Sequence, residues 1–265
     1  MMEKMIFGRY VPADSTVHKM DPRSKLLIIF LFVCIIFLAN NWITYALIGV
    51  YTFYMLGMSR IPVRFLYGGL KPVLWLVLFT LILQLLFTKE GNLLVEWGPI
   101  KIYEEGVRQG VFISLRFFFL ILMTSLLTLT TSPIEITDGL ETLLNPLKKI
   151  HFPVHEMALM MSISLRFIPT LMQETDKIMK AQMARGVEFS SGPFKERIKA
   201  VIPLLIPLFV SSFKRAEELA VAMEARGYRG GEGRTKYRQL SWKAADTLQL
   251  VVLAILTILL FLLRA

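Results

Sequence analysis

Cysteine is almost absent from this chain: Cys34 is the single one among 265 residues. One thiol cannot form an internal disulfide, and its apolar neighbours predict a lipid-facing or packed side chain rather than a redox centre. Charged residues are also scarce, at 19%, whereas hydrophobic residues make up 55% and the mean hydropathy is +0.57. So little polar surface cannot cover so much apolar side chain, which excludes an ordinary soluble domain. The composition predicts an integral membrane protein.

The first 25 residues lack the features of a cleavable signal peptide. They are polar, carry several basic residues, and contain neither a short apolar core nor a small-residue cleavage site. The first apolar helix is therefore expected to stay in the mature chain. A net charge of +10 can indicate nucleic-acid binding, but membrane proteins retain Lys and Arg on the cytoplasmic side beside anionic lipid. We expect the lipid bilayer as a partner, and no nucleic acid.

Apolar stretches predict about five transmembrane helices and hence an all-α membrane fold. The predicted spans are two short ones within residues 26–58, and residues 73–87, 107–131 and 244–263. Asp21 as N-cap and Pro22 at the first helical position predict the start of the first helix. Asn40 and Asn41 are expected to form the turn between the two short spans. Residues 1–131 would then form a membrane bundle of four helices, and residues 241–265 the last crossing.

Two polar segments and two polar residues interrupt the predicted bundle. Residues 60–72 predict a short basic loop on the cytoplasmic side, and residues 88–108 a polar loop outside. This places the N-terminus inside and the C-terminus outside. Within the spans, Arg116 is expected to snorkel or to fix helix packing, with a place in a transport pathway as the alternative. Gln84 is expected to form an interhelical hydrogen bond.

The sequence changes character after Thr131. Between Ser132 and Lys243, 17 basic residues stand against 12 acidic ones, which places residues 132–240 in the cytoplasm. Ser132 and Glu135 predict a helix N-terminus, and two longer helices are predicted at residues 157–185 and 194–226. Both begin apolar and finish charged, with the first interrupted or kinked near a proline. Their apolar beginnings are too short to be confident spans, so we expect them in the membrane interface or beneath the bundle.

Each of these two helices ends in a copy of one six-residue motif. Residues 181–186 and 222–227 both close with Ala-Arg-Gly. The residues before the arginine favour helix, and the glycine can adopt the left-handed conformation that ends one. Arg185 and Arg226 are therefore expected at fixed helix ends, with donors free to bind a carboxylate of another protein. For either copy alone, an ordinary helix stop remains the alternative.

The sequence contains no convincing catalytic or metal site, so a non-catalytic chain is predicted. The glycine-rich segment 227–235 lacks the lysine and the preceding strand of a phosphate-binding loop. His151 and His155 have a metal-binding spacing, but Pro153 lies between them and no third ligand is near. No metal and no cofactor are expected to bind this chain.

Methionine is enriched in the two long helices. Flexible thioethers can repack against different partners, so these residues predict an adaptable docking groove, with plain core filling as the alternative. The candidate docking residues are Met157, Met160, Met161, Met172 and Met179.

Taken together, the order and spacing of these motifs resemble the transmembrane T component of energy-coupling factor transporters, the CbiQ/EcfT family. The motifs are residues 21–26, residues 164–169, the two Ala-Arg-Gly ends and the closing apolar helix. The resemblance covers essentially the whole chain. It implies a membrane bundle with long cytoplasmic coupling helices, joining two ABC-type ATPases to one or several small substrate-binding membrane subunits (S components) for vitamins or metal ions.

The resemblance also implies roles for individual residues. Ala184-Arg185-Gly186 and Ala225-Arg226-Gly227 would be the ATPase-coupling sites, with ATP used only by the partner subunits. The methionines of the first long helix would contact the substrate-binding subunit. Competing readings are a self-contained channel or secondary carrier lined by Arg116 and Gln84, and an ABC permease that binds substrate itself. A membrane-embedded enzyme is least favoured because no reactive set of residues is present.

Overall fold

The computed structural model describes residues 10–97, 100–189, 193–230 and 239–264. Its helices in chain order are α1 (Pro22–Ile35), α2 (Trp42–Ser59), α3 (Val63–Phe87), α4 (Glu104–Thr130), α5 (Pro133–Leu143), α6 (Val154–Ala184), α7 (Phe194–Ala225) and α8 (Ala244–Leu262). Short 3₁₀ turns follow α1 and α5, at Ile36–Leu38 and Asn145–Ile150. Strands β1 (Leu93–Trp97) and β2 (Ile100–Tyr103) form an antiparallel hairpin between α3 and α4.

The described chain divides into two compact units. The bundle unit comprises the described residues up to Leu143 together with those from Gln239 onward, and therefore contains α1 to α5 and α8. The long-helix unit begins at Leu144 and contains α6 and α7. The helix α5 packs on α1 within the bundle unit.

The first two helices begin and end where the sequence predicts. Asp21 is the N-cap of α1, because its Oδ1 accepts the backbone N–H of Arg23 at 2.9 Å, and Pro22 occupies the first turn. Asn41 caps α2 in the same way, with its Oδ1 accepting the N–H of Thr44 at 3.0 Å. The predicted turn at Asn40 and Asn41 is confirmed.

A buried carboxylate joins the start of α8 to the start of α1. Asp246 is 0% exposed, and its Oδ1 accepts the backbone N–H of Asp21 at 2.9 Å and the hydroxyl of Ser24 at 2.5 Å. Its Oδ2 accepts the backbone N–H of Lys243, the N-cap of α8, at 2.8 Å. A buried carboxylate without such donors would be strongly unfavourable, so these bonds fix the relative position of the two helices.

The same end of the bundle unit is tied to α4 by a lysine. Lys25 is 4% exposed, and its Nζ donates to the carbonyl of Thr130 at 3.0 Å and to the hydroxyl of Thr131 at 3.2 Å. An ammonium is favoured at a helix C-terminus, where the unpaired carbonyls carry partial negative charge. Nearby, burial opposes ionisation of Asp21, but hydrogen bonds from Arg23 outweigh it and hold the pKa of Asp21 below its ordinary value.

The opposite end of α8 is held by the turn that follows α1. Asn41 Nδ2 donates to the carbonyl of Leu263 at 2.7 Å, and Asn40 Nδ2 donates to that of Arg264 at 2.9 Å. Both ends of α8 therefore meet the corresponding ends of the α1 segment, so the two run parallel. Residues 22–38 rise about 27 Å and α8 about 28 Å, which makes them equal in height.

Close contacts pack α4 against its neighbours in the bundle. A Cβ on Gly49 of α2 would lie 3.2 Å from the ring of Phe119, and one on Gly106 would lie 3.2 Å from the carbonyl oxygen of Gln84 on α3. The rings of Tyr45 and Phe112 stack with centroids 4.9 Å apart. Small residues and aromatic rings therefore set the spacing of these helices.

Two expectations for the bundle are wrong in detail. The predicted basic loop at residues 60–72 is mostly helix, because α3 begins at Val63 and continues through residue 72. The apolar residues after Val63 extend the helix, and membrane helices tolerate proline. The predicted polar loop at residues 88–108 instead holds the β1–β2 hairpin and the first turn of α4. Its strands pair side by side, with Leu93 opposite Tyr103.

The helices of the bundle unit have the properties of membrane helices. Among the described residues, α4 and α8 are each long and apolar enough to cross a bilayer, and residues 73–87 form a shorter apolar helix. Large apolar side chains point outward and are exposed, including Phe30, Val50, Trp75 and Phe87. A soluble bundle would bury such residues. The predicted helical membrane fold is confirmed, while the number of crossings stays a prediction.

We expect Asp246→Ala to destabilise the bundle by about 2–4 kcal/mol, because it leaves the backbone N–H groups of Asp21 and Lys243 without their carboxylate acceptor. Thermal unfolding of the purified protein in detergent measures the effect. Asp14→Ala is the matched control, since Asp14 and Lys19 form an ion pair 3.1 Å apart at a site where both side chains are exposed. Equal melting temperatures for the two variants would contradict this role for Asp246.

Candidate functional site

The first predicted helix end is a Schellman motif. α6 ends at Ala184, Arg185 is its C-cap, and Gly186 follows with φ of +89°. The N–H of Val187 donates to the carbonyl of Gln182 at 3.0 Å, and that of Gly186 donates to Met183 at 3.0 Å. These two bonds satisfy carbonyls that the helix end would otherwise leave unpaired.

The second helix end has the same geometry. α7 ends at Ala225, Arg226 is its C-cap, and Gly227 has φ of +72°. The N–H of Tyr228 donates to the carbonyl of Met223 at 3.0 Å, and that of Gly227 donates to Glu224 at 2.8 Å. The repeated sequence therefore folds into the same cap twice, and both predicted helix ends are confirmed.

Both arginines are presented to the surroundings. Arg185 and Arg226 are exposed, as are the alanine before and the glycine after each of them. The left-handed glycine turns the chain away from the helix axis, which leaves the arginine at the tip. The coupling role of the residues Ala184 to Gly186 and Ala225 to Gly227 stays a prediction.

The two long helices cross in an antiparallel arrangement. Glu174 of α6 bonds to two residues of α7: the hydroxyl of Ser211 donates to Oε2 at 2.9 Å, and the guanidinium of Arg215 donates to Oε1. Residues of α6 between Leu159 and Phe167 line a groove together with Leu219 and Met223 of α7 and the segment that follows α7. Later residues of α6 therefore contact earlier residues of α7, and the reverse, as in an antiparallel helix pair. Arg185 and Arg226 consequently lie at opposite ends of the pair.

The groove beside Arg226 is basic. It has a volume of about 690 Å³ and lies between the first half of α6 and the end of α7. Its charged lining residues are Arg166, Arg226 and Arg229, and Tyr228 also faces it. Three guanidinium groups at one opening favour an acidic occupant.

The candidate methionines share one side of α6. At about 100° per residue, all five fall within about 120° of each other, on the side opposite the residues that line the groove with α7. Met157, Met160 and Met161 are exposed, whereas Met172 and Met179 are half-buried. The exposed three form a flexible apolar surface that faces away from α7.

The apolar beginning of α7 forms a larger surface than that of the methionines. Eight large apolar side chains recur along the first two thirds of this helix at helical spacing, each 38 to 73% exposed. They are Ile198, Val201, Ile202, Leu205, Ile206, Phe209, Val210 and Phe213. From sequence this stretch was predicted to lie in the interface or beneath the bundle because it is short for a span; its side chains recur with the 3.6-residue period of a helix. We call these residues the α7 stripe.

Arg116 and Gln84 each have a local role in the bundle unit. Arg116 Nη2 donates to the carbonyl of Ala39 at 3.4 Å, and its guanidinium lies over the ring of Phe37, 5.1 Å from the centroid. This contact fixes α4 against the turn after α1, as the packing interpretation predicts. Gln84 Oε1 accepts the hydroxyl of Thr88 at 2.8 Å within the end of α3, so the bond shown is not interhelical.

The other motifs considered from sequence do not assemble into a site in the described ranges. His151 ends the 3₁₀ turn after α5 with a left-handed backbone, and His155 lies in the first turn of α6. Across the four described stretches of chain, no group of three or more His, Cys, Asp or Glu residues could hold a metal ion. Most of the glycine-rich segment, residues 231–235, lies outside the described residues.

Comparison with known proteins defines the family. The family profile described as CbiQ, cobalt transport protein, matches residues 13–237. A Bacillus subtilis (strain 168) protein named energy-coupling factor transporter transmembrane protein EcfT is 67% identical over 265 residues, 100% of both chains. Proteins of the same name from Listeria innocua and Lactococcus lactis subsp. cremoris are 59% identical over 100% of both chains and 54% identical over 98% of both chains. The chain therefore belongs to the CbiQ/EcfT family of membrane transport proteins, which confirms the resemblance of its motifs.

We expect Gly186→Ala and Gly227→Ala each to weaken its helix end by about 1–2 kcal/mol, because an alanine is strained at positive φ. The strain is confined to the local backbone, since a Cβ at either position meets no other part of the chain within 4 Å. Hydrogen exchange of the amides of Val187 and Tyr228 should accelerate. Gly57→Ala inside α2 is the control, because a Cβ there also meets nothing within 4 Å and no positive φ is involved. Unchanged exchange in the cap variants would rule out this account of the helix ends.

Proposed function

We propose that this chain is the transmembrane coupling subunit of an energy-coupling factor importer. It transmits ATP hydrolysis by two partner ATPases to a separate membrane subunit that binds a vitamin or a metal ion. The observation that carries the proposal is the pair of arginine-tipped helix ends, which share one cap geometry and lie at opposite ends of an antiparallel helix pair. The names of the close relatives support the transporter class.

The distance between the two arginines allows each to bind a different ATPase subunit. Arg185 lies 11 residues beyond Glu174, and Arg226 lies 11 residues beyond Arg215. At 1.5 Å per residue the two tips are up to about 33 Å apart, enough to reach two different subunits. A permanently charged, planar guanidinium on a rigid helix end binds a carboxylate in a fixed direction, so it can transmit a displacement that a mobile lysine would lose.

The two tips differ in their surroundings. The basic groove places Arg166 and Arg229 beside Arg226. The chain after Arg185 instead carries Glu188 at the position equivalent to Arg229. The charge around Arg226 supports docking of an acidic segment of an ATPase in the groove, with Arg166 and Arg229 as supporting contacts.

Two apolar surfaces of this chain are candidate docking sites for the substrate-binding subunit. The α7 stripe and the exposed Met157, Met160 and Met161 are the large apolar surfaces of α6 and α7. Exposed patches of this kind mark protein or membrane contacts, and thioethers adapt to more than one partner. Both properties suit a subunit that transmits force to a small hydrophobic protein, and they support one chain serving several such proteins in turn.

The packing of the bundle unit supports five crossings. Because α1 with its 3₁₀ turn runs parallel to α8 and equals it in height, a bilayer that α8 crosses is also crossed by the α1 segment. α2, α3 and α4 then alternate in direction. This supports a multi-pass protein of the cell membrane with its N-terminus inside, its C-terminus outside, and the basic long-helix unit in the cytoplasm.

Charge reversal at both tips, Arg185→Glu with Arg226→Glu, should abolish retention of the ATPases. Each new carboxylate would face an acidic docking site, and loss of one charged partner at an interface costs about 2–5 kcal/mol. Co-purification of the ATPases with the full complex from native membranes, together with ATP-driven uptake in vesicles, measures the effect.

The matched control is Lys177→Glu with Lys214→Glu. These exposed lysines lie on the same two helices before their ends, and the net charge changes by the same amount. The control should retain ATPases and uptake. A double-arginine variant that assembles and transports normally would overturn the assignment.

Placing a charge in the apolar surfaces should separate the two partner functions. Met160→Asp with Phe209→Asp should release the substrate-binding subunit while the ATPases stay bound, because the aspartates would be desolvated without a partner. Co-purification of both partner types is the measurement. Gln173→Asp, an exposed α6 position away from the methionine side, is the control. Retention of the small subunit by the double variant would refute docking on these surfaces.

A further inference from the structure

One ion pair joins α6 to α7 where they cross. Both carboxylate oxygens of Glu174 are occupied by groups of α7, the hydroxyl of Ser211 and the guanidinium of Arg215. The side chains of Glu174 and Arg215 are 22% and 33% exposed, so the pair is partly shielded from water. The contact is directional, because a carboxylate that accepts from two fixed donors cannot slide along the neighbouring helix without breaking both bonds.

The partners of this pair hold the same position in the two repeats. Glu174 and Arg215 are 41 residues apart, which is also the spacing of Arg185 and Arg226. In an antiparallel pair, contact between equivalent positions places the crossing point on an approximate two-fold axis. Arg185 and Arg226 then each lie about 16 Å from that point. We call the part of each helix between the crossing point and its arginine an arm, and the two arms are equal in length.

We propose that the Glu174–Arg215 pair, supported by Ser211, is the pivot of the two long helices. Glu174 and Arg215 are positioning residues that fix the crossing point while the arms change their angle. The proposal rests on the proposed coupling function. If the tips move with two ATPases, a pinned crossing converts tip movement into rotation of both helices, whereas an unpinned crossing lets them slip past each other.

The groove provides room for such a rotation. Between the pivot and Arg226, α6 and α7 diverge around about 690 Å³ of open space. A packed interface would resist a change of angle, because close-packed side chains do not deform continuously. Because α6 and α7 are not closely packed beside the groove, the angle between them can change while the Glu174–Arg215 contact holds the crossing point in place.

Loss of the pivot should affect coupling more than stability. A partly exposed ion pair contributes little to folding. In proteoliposomes that contain the complete complex, we expect Glu174→Gln to retain its ATPases and its ATP hydrolysis, whereas uptake per ATP falls at least about fivefold. Asp176→Asn is the matched control, because Asp176 pairs with Lys180 at 2.6 Å within α6 and does not bridge the helices. The control should keep the wild-type ratio.

Crosslinks between α6 and α7, placed at the crossing point or across the groove, distinguish a pivot from a contact that only stabilises the structure. With Cys34 replaced by serine, the double variant Glu174→Cys with Ser211→Cys should be uncoupled under reducing conditions and recover uptake when a disulfide joins the helices. The double variant Ser162→Cys with Met223→Cys spans the groove, since both residues line it. A short bis-maleimide across this second pair should block uptake by fixing the angle.

Three outcomes would overturn the pivot: wild-type uptake per ATP in Glu174→Gln, no recovery on joining residues 174 and 211, or unaffected uptake with the groove bridged. Failure of the proposed function is distinguishable from these. It would show as ATPases retained by the double-arginine variant, a measurement that does not involve Glu174.

Discussion

A bilayer supplies no water to pair with backbone groups, and this constraint governs the bundle unit. Every N–H and C=O at membrane depth must be paired inside the chain, so the apolar segments become helices. Polar side chains then gather at the two ends of these helices. Asp246 and Lys25 hold one end, and Asn40 and Asn41 hold the other. The height between these two polar layers is the length of α8, and the surface between them is apolar.

The long-helix unit meets a different constraint, because it has little core of its own. Within the described part of α6, Val154 and Ala158 are the buried residues. The partly exposed contact of Glu174 adds little stability to such a pair, so covering its apolar surfaces would stabilise it more. A unit of this kind remains able to change its internal angle, which a fully packed bundle could not do. The weak internal packing of α6 and α7 is therefore compatible with the coupling role that we propose.

The sequence predicted the features that are encoded within a few neighbouring residues. The N-cap at Asp21, the turn at Asn41 and both helix ends at Arg185 and Arg226 depend on local conformational preferences, and each was found where expected. The start of α3 and the β1–β2 hairpin were missed because tertiary packing overrides weak local signals.

Long-range pairings were beyond the reach of local patterns. No short motif marks the bond between Asp246 and the backbone of Asp21, which joins residues 225 apart. The pairing of Glu174 with Arg215 left one trace in the sequence, because both residues stand at the same distance before an Ala-Arg-Gly end. Comparing the two repeats position by position, rather than only at their ends, would have singled it out. The apolar start of α7 was predicted from sequence, and the structure adds which of its side chains are exposed.

The bond between Asp246 and the start of α1 also orders events during synthesis. The first helix emerges from the ribosome long before its last neighbour, and α6 and α7 are both made in between. Until α8 arrives, the hydroxyl of Ser24 and the N–H of Asp21 lack the carboxylate that pairs them in the finished fold. A nascent chain truncated before α8 thus leaves the N–H of Asp21 without the acceptor that it has in the finished fold. Completion of the bundle therefore requires that α6 and α7 have already been translated.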